Sequence, residues 1–311
     1  MNWRLKSFVQ RTCAALPFGS EAVYYRLQRS FGSLRKPGPV AEMLSATADM
    51  VSWLREAGIP IENARVMEVG TGRRIDMPLG LFLCGAQSVD TFDLHAYLKP
   101  ELVNQTLSFL RGNPAKVQEI LGAAAHREEI SRRLEMLCSA SDMASAMRAA
   151  GIRYHAPSDA AATGLAPGSI DVQLSYTVFE HIPGAILRDI LLQARQILSP
   201  QGVVLHHVDL SDHFWHEDPS ISPIHFLQFS NAEWDHYADN QFAYHNRLRV
   251  TEYREIFESC GYQILRGEEI VHQASVESIR AGFPLDSRFR GIAPEILACT
   301  VFRALARPRP A

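Results

Sequence analysis

The chain has 311 residues, 47% of them apolar, and a formal net charge of −3. That is enough apolar material for one large domain with additions or two small ones, and the charge balance excludes a global pull toward nucleic acid. No apolar run reaches the ~18 residues of a membrane span, and the five scattered cysteines, with no CxxC pair, argue against a disulfide framework or structural zinc and fit a reducing cytoplasm.

The first 36 residues are set apart by charge. Arg4, Lys6, Arg11, Arg26, Arg29, Arg35 and Lys36 stand against one acid, Glu21, with Trp3, Leu5, Phe8, Val9 and Leu16 interleaved. The apolar part is too short and interrupted for a signal peptide. The stretch predicts a helix or two before Pro37, with two readings: an arm packed on the domain, or a basic amphipathic surface for a membrane or an anionic substrate. Residues 40–57 predict an amphipathic helix ended by Gly58 and Pro60. Residues 1–57 are thus an N-terminal helical arm, and 58–311 the main domain.

Beyond Gly58 the pattern alternates. Ala64–Val69 predicts a buried strand, Ile75–Cys84 a helix and Ser88–Asp93 a second strand. Residues 97–150 are helical in composition. Arg153–His155 and Ile170–Ser175 predict the third and fourth strands. Pro183–Leu198 predicts a helix stopped by Ser199-Pro200-Gln201-Gly202, and Val203–Val208 the fifth strand. After the aromatic- and His-rich segment 209–249, Val250–Cys260 predicts a helix, and Tyr262–Arg266 and Ala298–Leu305 the last two strands. The Pro/Arg-rich tail Ala306–Ala311 is expected to fray. Strands alternating with helices imply an α/β fold, doubly wound around a mostly parallel sheet. The helical insertion is 97–150, and 209–249 reads as a substrate lid or as a satellite core.

The first strand runs into Glu68-Val69-Gly70-Thr71-Gly72-Arg73-Arg74-Ile75. Glycines there let backbone approach a ligand beside a helix N-terminus. A Walker loop would need Gly-Lys-Ser/Thr, and a dinucleotide fingerprint would need a third small residue where Ile75 stands. An acid two residues before Gly-x-Gly resembles the first motif of class I, Rossmann-like S-adenosylmethionine-dependent methyltransferases, although Arg74 replaces the usual last glycine. Three later segments carry the same resemblance: Asp93-Leu94 at the end of the second strand, Ser158-Asp159-Ala160 after the third, and Ser175-Tyr176-Thr177-Val178-Phe179-Glu180-His181-Ile182 after the fourth. The last is similar to a subgroup of small-molecule enzymes with an EH-I segment at this place.

The resemblance implies a seven-stranded sheet with one antiparallel strand and S-adenosyl-L-methionine as cofactor. Glu68, Gly70, Thr71 and Gly72 would form its loop, Asp93 and Leu94 its ribose side, and Asp159 and Ala160 the adenine side. Ser175 and Val178 would line the methionine side.

Methyl transfer from a sulfonium needs alignment more than acid catalysis, because the thioether leaves neutral; a hydroxyl acceptor also gains from a base. The candidates lie in the stretch His206-His207-Val208-Asp209-Leu210-Ser211-Asp212-His213. His207 and Asp209 share a face if the strand extends that far, so His207 or His213 would be the base with Asp209 orienting it. Asp209, Asp212 and His213 could instead hold a divalent metal, which is not favoured, and His181 reads as a helix-start or cofactor-shell residue. The aromatics of 213–249 with Arg247 and Arg249 suit a small-molecule or glycan acceptor, including a lipid-linked or cell-envelope sugar, with peripheral membrane contact through the basic arm. Nucleic acid is not expected. The alternatives are a nicotinamide-dependent oxidoreductase, disfavoured by the missing third glycine and Tyr-x-x-x-Lys pair, and a cofactor-binding member without catalysis.

Overall fold

A computed structural model describes residues 1–31 and 39–310. Arg35, Lys36 and Pro37 lie outside the described residues. Two helices, α1 (Trp3–Ala14) and α2 (Ser20–Phe31), are followed by α3 (Pro39–Glu56). The alternation then begins with β1 (Arg65–Val69), α4 (Asp76–Leu83) and β2 (Ser88–Phe92). Four helices fill the insertion: α5 (Pro100–Gly112), α6 (Pro114–Leu121), α7 (Arg127–Cys138) and α8 (Met143–Ala149). Next come β3 (Ile152–His155), β4 (Ile170–Tyr176), α9 (Gly184–Ile197) and β5 (Leu198–Asp209). The chain closes with α10 (Asn231–Ala238), α11 (Val250–Ser259), β6 (Tyr262–Val271), α12 (Gln273–Arg280), α13 (Pro294–Leu297) and β7 (Cys299–Pro308).

The seven strands form one sheet in the order β3-β2-β1-β4-β5-β7-β6. β1 to β5 are mutually parallel, and β7 runs antiparallel between β5 and β6. This is the doubly wound α/β sheet with one antiparallel strand that the sequence implies. The chain leaves β1 in one direction through β2 and β3, then restarts on the other side at β4. Open α/β sheets bind ligands outside the carboxyl ends of the strands at such a reversal, here between β1 and β4.

Burial on both faces explains the apolar strands. One face carries Val66, Val172, Leu174, Val203 and Leu205 against Leu44, Leu54 and Leu79 of α3 and α4. The other carries Met67, Val69, Val204 and Val208 against Leu187, Leu191 and Phe257 of α9 and α11. A third cluster lies apart, built from Trp3, Phe214, Phe226, Leu227, Trp234, Phe289 and Leu297.

Three boundaries differ from expectation by more than two residues. β5 begins at Leu198 rather than Val203: Ile170 pairs with Leu198 and Val172 with Val203, so the intervening Ser199–Gly202 segment bulges out of a strand already under way. β6 runs on to Val271 because β7 stays opposite it, with two register shifts. The tail does not fray from Ala306: Ala306 and Arg307 still pair with β6, and the Arg309 N–H donates to the Gly261 carbonyl at 2.8 Å. Pro308 ends the strand, where a missing donor costs the ladder little.

Segment 209–249 is fastened from inside. The Arg249 guanidinium, 1% exposed, donates to the carbonyls of Leu210 at 2.7 Å, Leu297 at 3.3 Å and Cys299 at 3.4 Å. Arg247 donates to Phe226 and Phe229 carbonyls and to Asn231 Oδ1. Both arginines are therefore spent on buried backbone and are not free to grip an acceptor anion. Truncating Arg249 strands several buried carbonyls, so Arg249→Ala should lower stability by about 3 kcal/mol or more. Urea denaturation midpoints check this; a loss below ~1 kcal/mol would mean water replaces the guanidinium.

Candidate active site

The glycine turn sits at the strand reversal. Gly70 (φ +83°) and Gly72 (φ +69°) adopt left-handed backbone that side chains disfavour. At Gly70 the reason is also steric: a Cβ would lie 2.6 Å from Val178 Cγ2. This close approach locks the end of β1 to the loop after β4. Around Gly72 the space is open, with no heavy atom within 4 Å of where a Cβ would stand. The Gly72 N–H donates to Asp93 Oδ2 at 3.0 Å, and the Gly70 N–H to the Phe92 carbonyl at 2.8 Å. Thr71, Thr91 and Glu68 form a hydroxyl–hydroxyl–carboxylate chain beneath the turn.

Arg74, the departure from the resembled pattern, points away from the turn mouth. Its guanidinium donates to Gln105 Oε1 at 2.8 Å and to the Leu102 carbonyl at 3.2 Å, so it ties the loop to α5. Arg73 and Lys99 both reach Glu21 of α2, at 3.5 and 3.0 Å. The arm is thereby held beside the turn.

Burial dominates the electrostatics. It pushes the Glu68 carboxyl up to about 8, against the Thr91 hydroxyl that favours its ionised form, with Asp93 and Asp76 adding repulsion. Burial likewise lifts Asp93 to about 7, opposed by hydrogen bonds from Tyr154 and the turn backbone. Leu94 is 64% exposed beside it. Asp159 is exposed and accepts the Ala161 N–H at 2.8 Å, while Ala160 is buried. Ser175 is fully buried, with its hydroxyl 2.8 Å from His206 Nδ1. It supports the strand-end loop from inside, since His206 stacks under Phe179 at 3.9 Å.

β5 does extend to Asp209, so His207 and Asp209 share a face. They do not form a pair. His207 stacks on Tyr176, accepts Arg303 Nε on its Nδ1 at 3.3 Å, and is held down to about 4 by burial and by Arg303. Asp209 instead turns to the following loop: His216 Nε2 lies 3.2 Å from its Oδ2 and His213 Nε2 3.6 Å. Asp212 faces elsewhere, bonded to His225 and the Phe214 N–H.

Around Asp209 the structure gathers residues that the chain order separates. Glu180 and His181 come from the turn after β4, His213 and His216 from the loop after β5, and His245 from the end of the insertion. His213 stacks on His245 with centroids 4.8 Å apart and meets His181 edge-on at 4.8 Å. These rings open onto a cavity of about 260 Å³ whose other wall includes Lys6 and Gln10 of α1 and Tyr24 of α2. The adjacent Glu180-His181 pair and the His213/His216 spacing were visible signals; His245 had none, because only the folded insertion brings it back.

No family model matches the chain, and no curated protein matches it. Among solved structures it is similar to magnesium protoporphyrin IX methyltransferase from Synechocystis PCC 6803 with bound SAH, at 13% identity over 97% of this chain and 100% of that one, TM-score 0.48. It is also similar to a SAM-dependent methyltransferase of Leishmania major (12%, 98% and 83%, TM-score 0.44). A third is Haemonchus contortus phosphoethanolamine N-methyltransferase 2 in complex with S-adenosyl-L-methionine (15%, 84% and 52%, TM-score 0.44).

The raised Glu68 carboxyl has a measurable consequence. The folded protein keeps a proton up to about pH 8 that the unfolded chain releases near its ordinary 4.5. This contribution to stability is therefore full below the unfolded value and is lost as pH rises through the folded one. Between pH 5 and 8 the wild type should lose stability relative to Glu68→Gln, by at most ~1.4 kcal/mol per pH unit. Melting curves of both proteins across that range check it, and parallel pH profiles would sink it.

Proposed function

We propose that the protein is an S-adenosylmethionine-dependent methyltransferase that methylates an oxygen of a small molecule or glycan. The observation that carries this reading is the turn at the strand reversal: two left-handed glycines, open space over Gly72, and the Gly72 N–H fixed on the Asp93 carboxylate. The residues fit the cofactor. Asp93 is placed to accept ribose hydroxyls, with the exposed Leu94 beside it, and Gly70 and Gly72 let backbone follow the amino-acid end. Bound there, the cofactor supplies an electrophilic methyl on a sulfonium, whose thioether needs no acid to leave.

The chain's own work is alignment and proton removal. The cavity beside the histidines holds the acceptor in this reading; His181 and His213, which follow β4 and β5, put it past the carboxyl ends of those strands. His216 is the base that the geometry favours, with Asp209 at 3.2 Å fixing its ring. In this reading Asp209 orients the base, which is His216 in place of the His207 or His213 expected from the sequence; His207 positions the strand end from below.

Calorimetry on protein freed of carried-over cofactor tests the reading. S-adenosylmethionine and its demethylated product should bind with micromolar affinity, and Asp93→Ala should weaken both by roughly tenfold or more, the value of a charge-assisted hydrogen bond. NADH should not bind. Binding of NADH alone, or of none of the three, would overturn methyl transfer.

The acceptor class extends to lipid-linked molecules through the arm. The buried side of α1 packs inward through Trp3, Ser7, Gln10 and Cys13, while Leu5 (54% exposed), Phe8 (64%) and, past the helix, Phe18 (90%) face out beside Arg4 and Arg11. No described helix is long and apolar enough to cross a membrane, and this face instead suits the surface of an anionic bilayer. The protein should co-float with anionic vesicles, and the Phe8→Ser/Phe18→Ser double variant should lose most of that binding. Equal flotation of the two would remove the arm as the contact.

A further inference from the structure

We propose that Glu180, His181 and His213 form a binding site for a divalent transition metal, of which zinc is the reference ion. Their ligand atoms lie within 4.8 Å of one another. Two imidazole nitrogens and a carboxylate oxygen are the donor set of ions such as zinc or iron(II) that keep an open coordination position.

The unpartnered atoms point to a ligand independently of that proximity. The Glu180 side chain is 3% exposed, and neither carboxylate oxygen closes a well-formed hydrogen bond among the described residues, the backbone amides of Glu180 and Asp209 lying near it only loosely. A buried carboxylate without a well-formed hydrogen bond is costly and rare in a native protein. Protonation would not settle it, because the resulting O–H would itself need an acceptor, and His213 Nε2 stands 4.0 Å from Oε1, beyond hydrogen-bond range. His213 Nε2 is also buried without a partner, as is Nε2 of His245, whose ring stacks on it. Both oxygens of Glu180 and Nε2 of His213 thus lack well-formed partners within one cluster, and one cation could serve them together.

The second ring of contacts fits as well. His181 Nδ1 lies 2.8 Å from the Tyr244 carbonyl, which can only accept, so the proton is on Nδ1 and Nε2 is bare. A ligating histidine is ordinarily held in this way by its other nitrogen. Asp209 Oδ2, 3.6 Å from His213 Nε2, adds a negative charge nearby without closing a hydrogen bond. Donors ~2.1 Å from a tetrahedral ion stand about 3.4 Å apart, so the three ligands need draw together by about an ångström.

The open position would face the cavity, because His181 and His213 both line it. Resting on the methyl-transfer reading, the ion's substrate class is an acceptor hydroxyl: coordination there lowers the hydroxyl's pKa and turns its oxygen toward the methyl donor, and His216 takes the proton.

The test uses the whole chain stripped by a chelator. Metal content after incubation with zinc, followed by dialysis, should be one equivalent, and titration should give a sub-micromolar Kd. Cobalt(II) loading should give the visible absorption of a four- or five-coordinate ion. Glu180→Gln should weaken binding by roughly a hundredfold, while His236→Ala, at an exposed histidine outside the cluster, should not change it. Should His213→Ala fail to fold, Glu180→Gln alone decides, because it keeps the shape and removes a charge. Binding that is absent in the wild type, or unchanged in Glu180→Gln, would overturn the site. S-adenosylmethionine affinity measured on the same stripped protein separates the two readings: metal bound without cofactor leaves this site standing and removes methyl transfer, and cofactor bound without metal does the reverse.

Discussion

The hydrogen bond from the Gly72 N–H to the Asp93 carboxylate fixes the geometry on which the rest of the site depends. It joins the end of β1 to the end of β2, and it forms because Gly72 takes a backbone conformation that side chains avoid. Two residues earlier, Gly70 lets Val178 press against bare backbone, which joins β1 to the loop after β4. Three strand ends therefore converge on one turn of a few residues. The chain beneath it, Thr71 to Thr91 to Glu68, carries the same linkage into the sheet interior. A ligand placed on the turn is thus referenced to the rigid sheet and not to a free loop.

The second half of the site is built differently. Nothing in the sheet alone assembles Glu180, Asp209 and the histidines; the insertion after β5 does. It folds over its own aromatic cluster, is fastened by Arg247 and Arg249 to buried carbonyls, and returns His245 to the ring stack. Trp3 of α1 completes that cluster, packing against Phe214, His225, Phe229 and Tyr237. The insertion and the arm therefore form one packed unit, and the cavity is the space they leave above the carboxyl ends of β4 and β5.

This division explains what could be read from the sequence. The sheet was legible because buried parallel strands are short apolar runs between glycines and acids, and the glycine turn because its backbone demands are local. Boundaries set by pairing were not: β6 lengthens and the tail stays ordered because each has the other opposite, which no local signal encodes. The expectation that His207 and Asp209 share a face was correct, yet residues two apart on a strand are ~6.6 Å apart along it, and their side chains found other partners. Asp209 closes the strand, so the loop beyond it curls back and supplies His213 and His216. For Arg247 and Arg249 the sequence leaves an acceptor-binding and a packed reading of the segment open, because it reveals charge but not burial, and the structure buries both.

The placement of α1 links the two surfaces of the arm. Its inner side contributes Lys6 and Gln10 to the wall of the histidine cavity, with Lys6 also paired to Glu217 at 3.2 Å. Its outer side exposes Leu5 and Phe8. A helix of 12 residues is about 18 Å long and behaves as one body, so a partner that engages the outer face loads the wall of the cavity as well. Many of the inner contacts are polar, Ser7 to the Tyr237 carbonyl, Gln10 to the Phe242 carbonyl and Tyr24, and the Trp3 N–H to Asp218, beside the buried side chains of Trp3 and Cys13. Such contacts exchange with water at little net cost compared with opening an apolar core. The arm is accordingly a wall fastened by polar bonds and by Trp3 to the insertion, while the strand ends that hold the turn are fixed by the sheet.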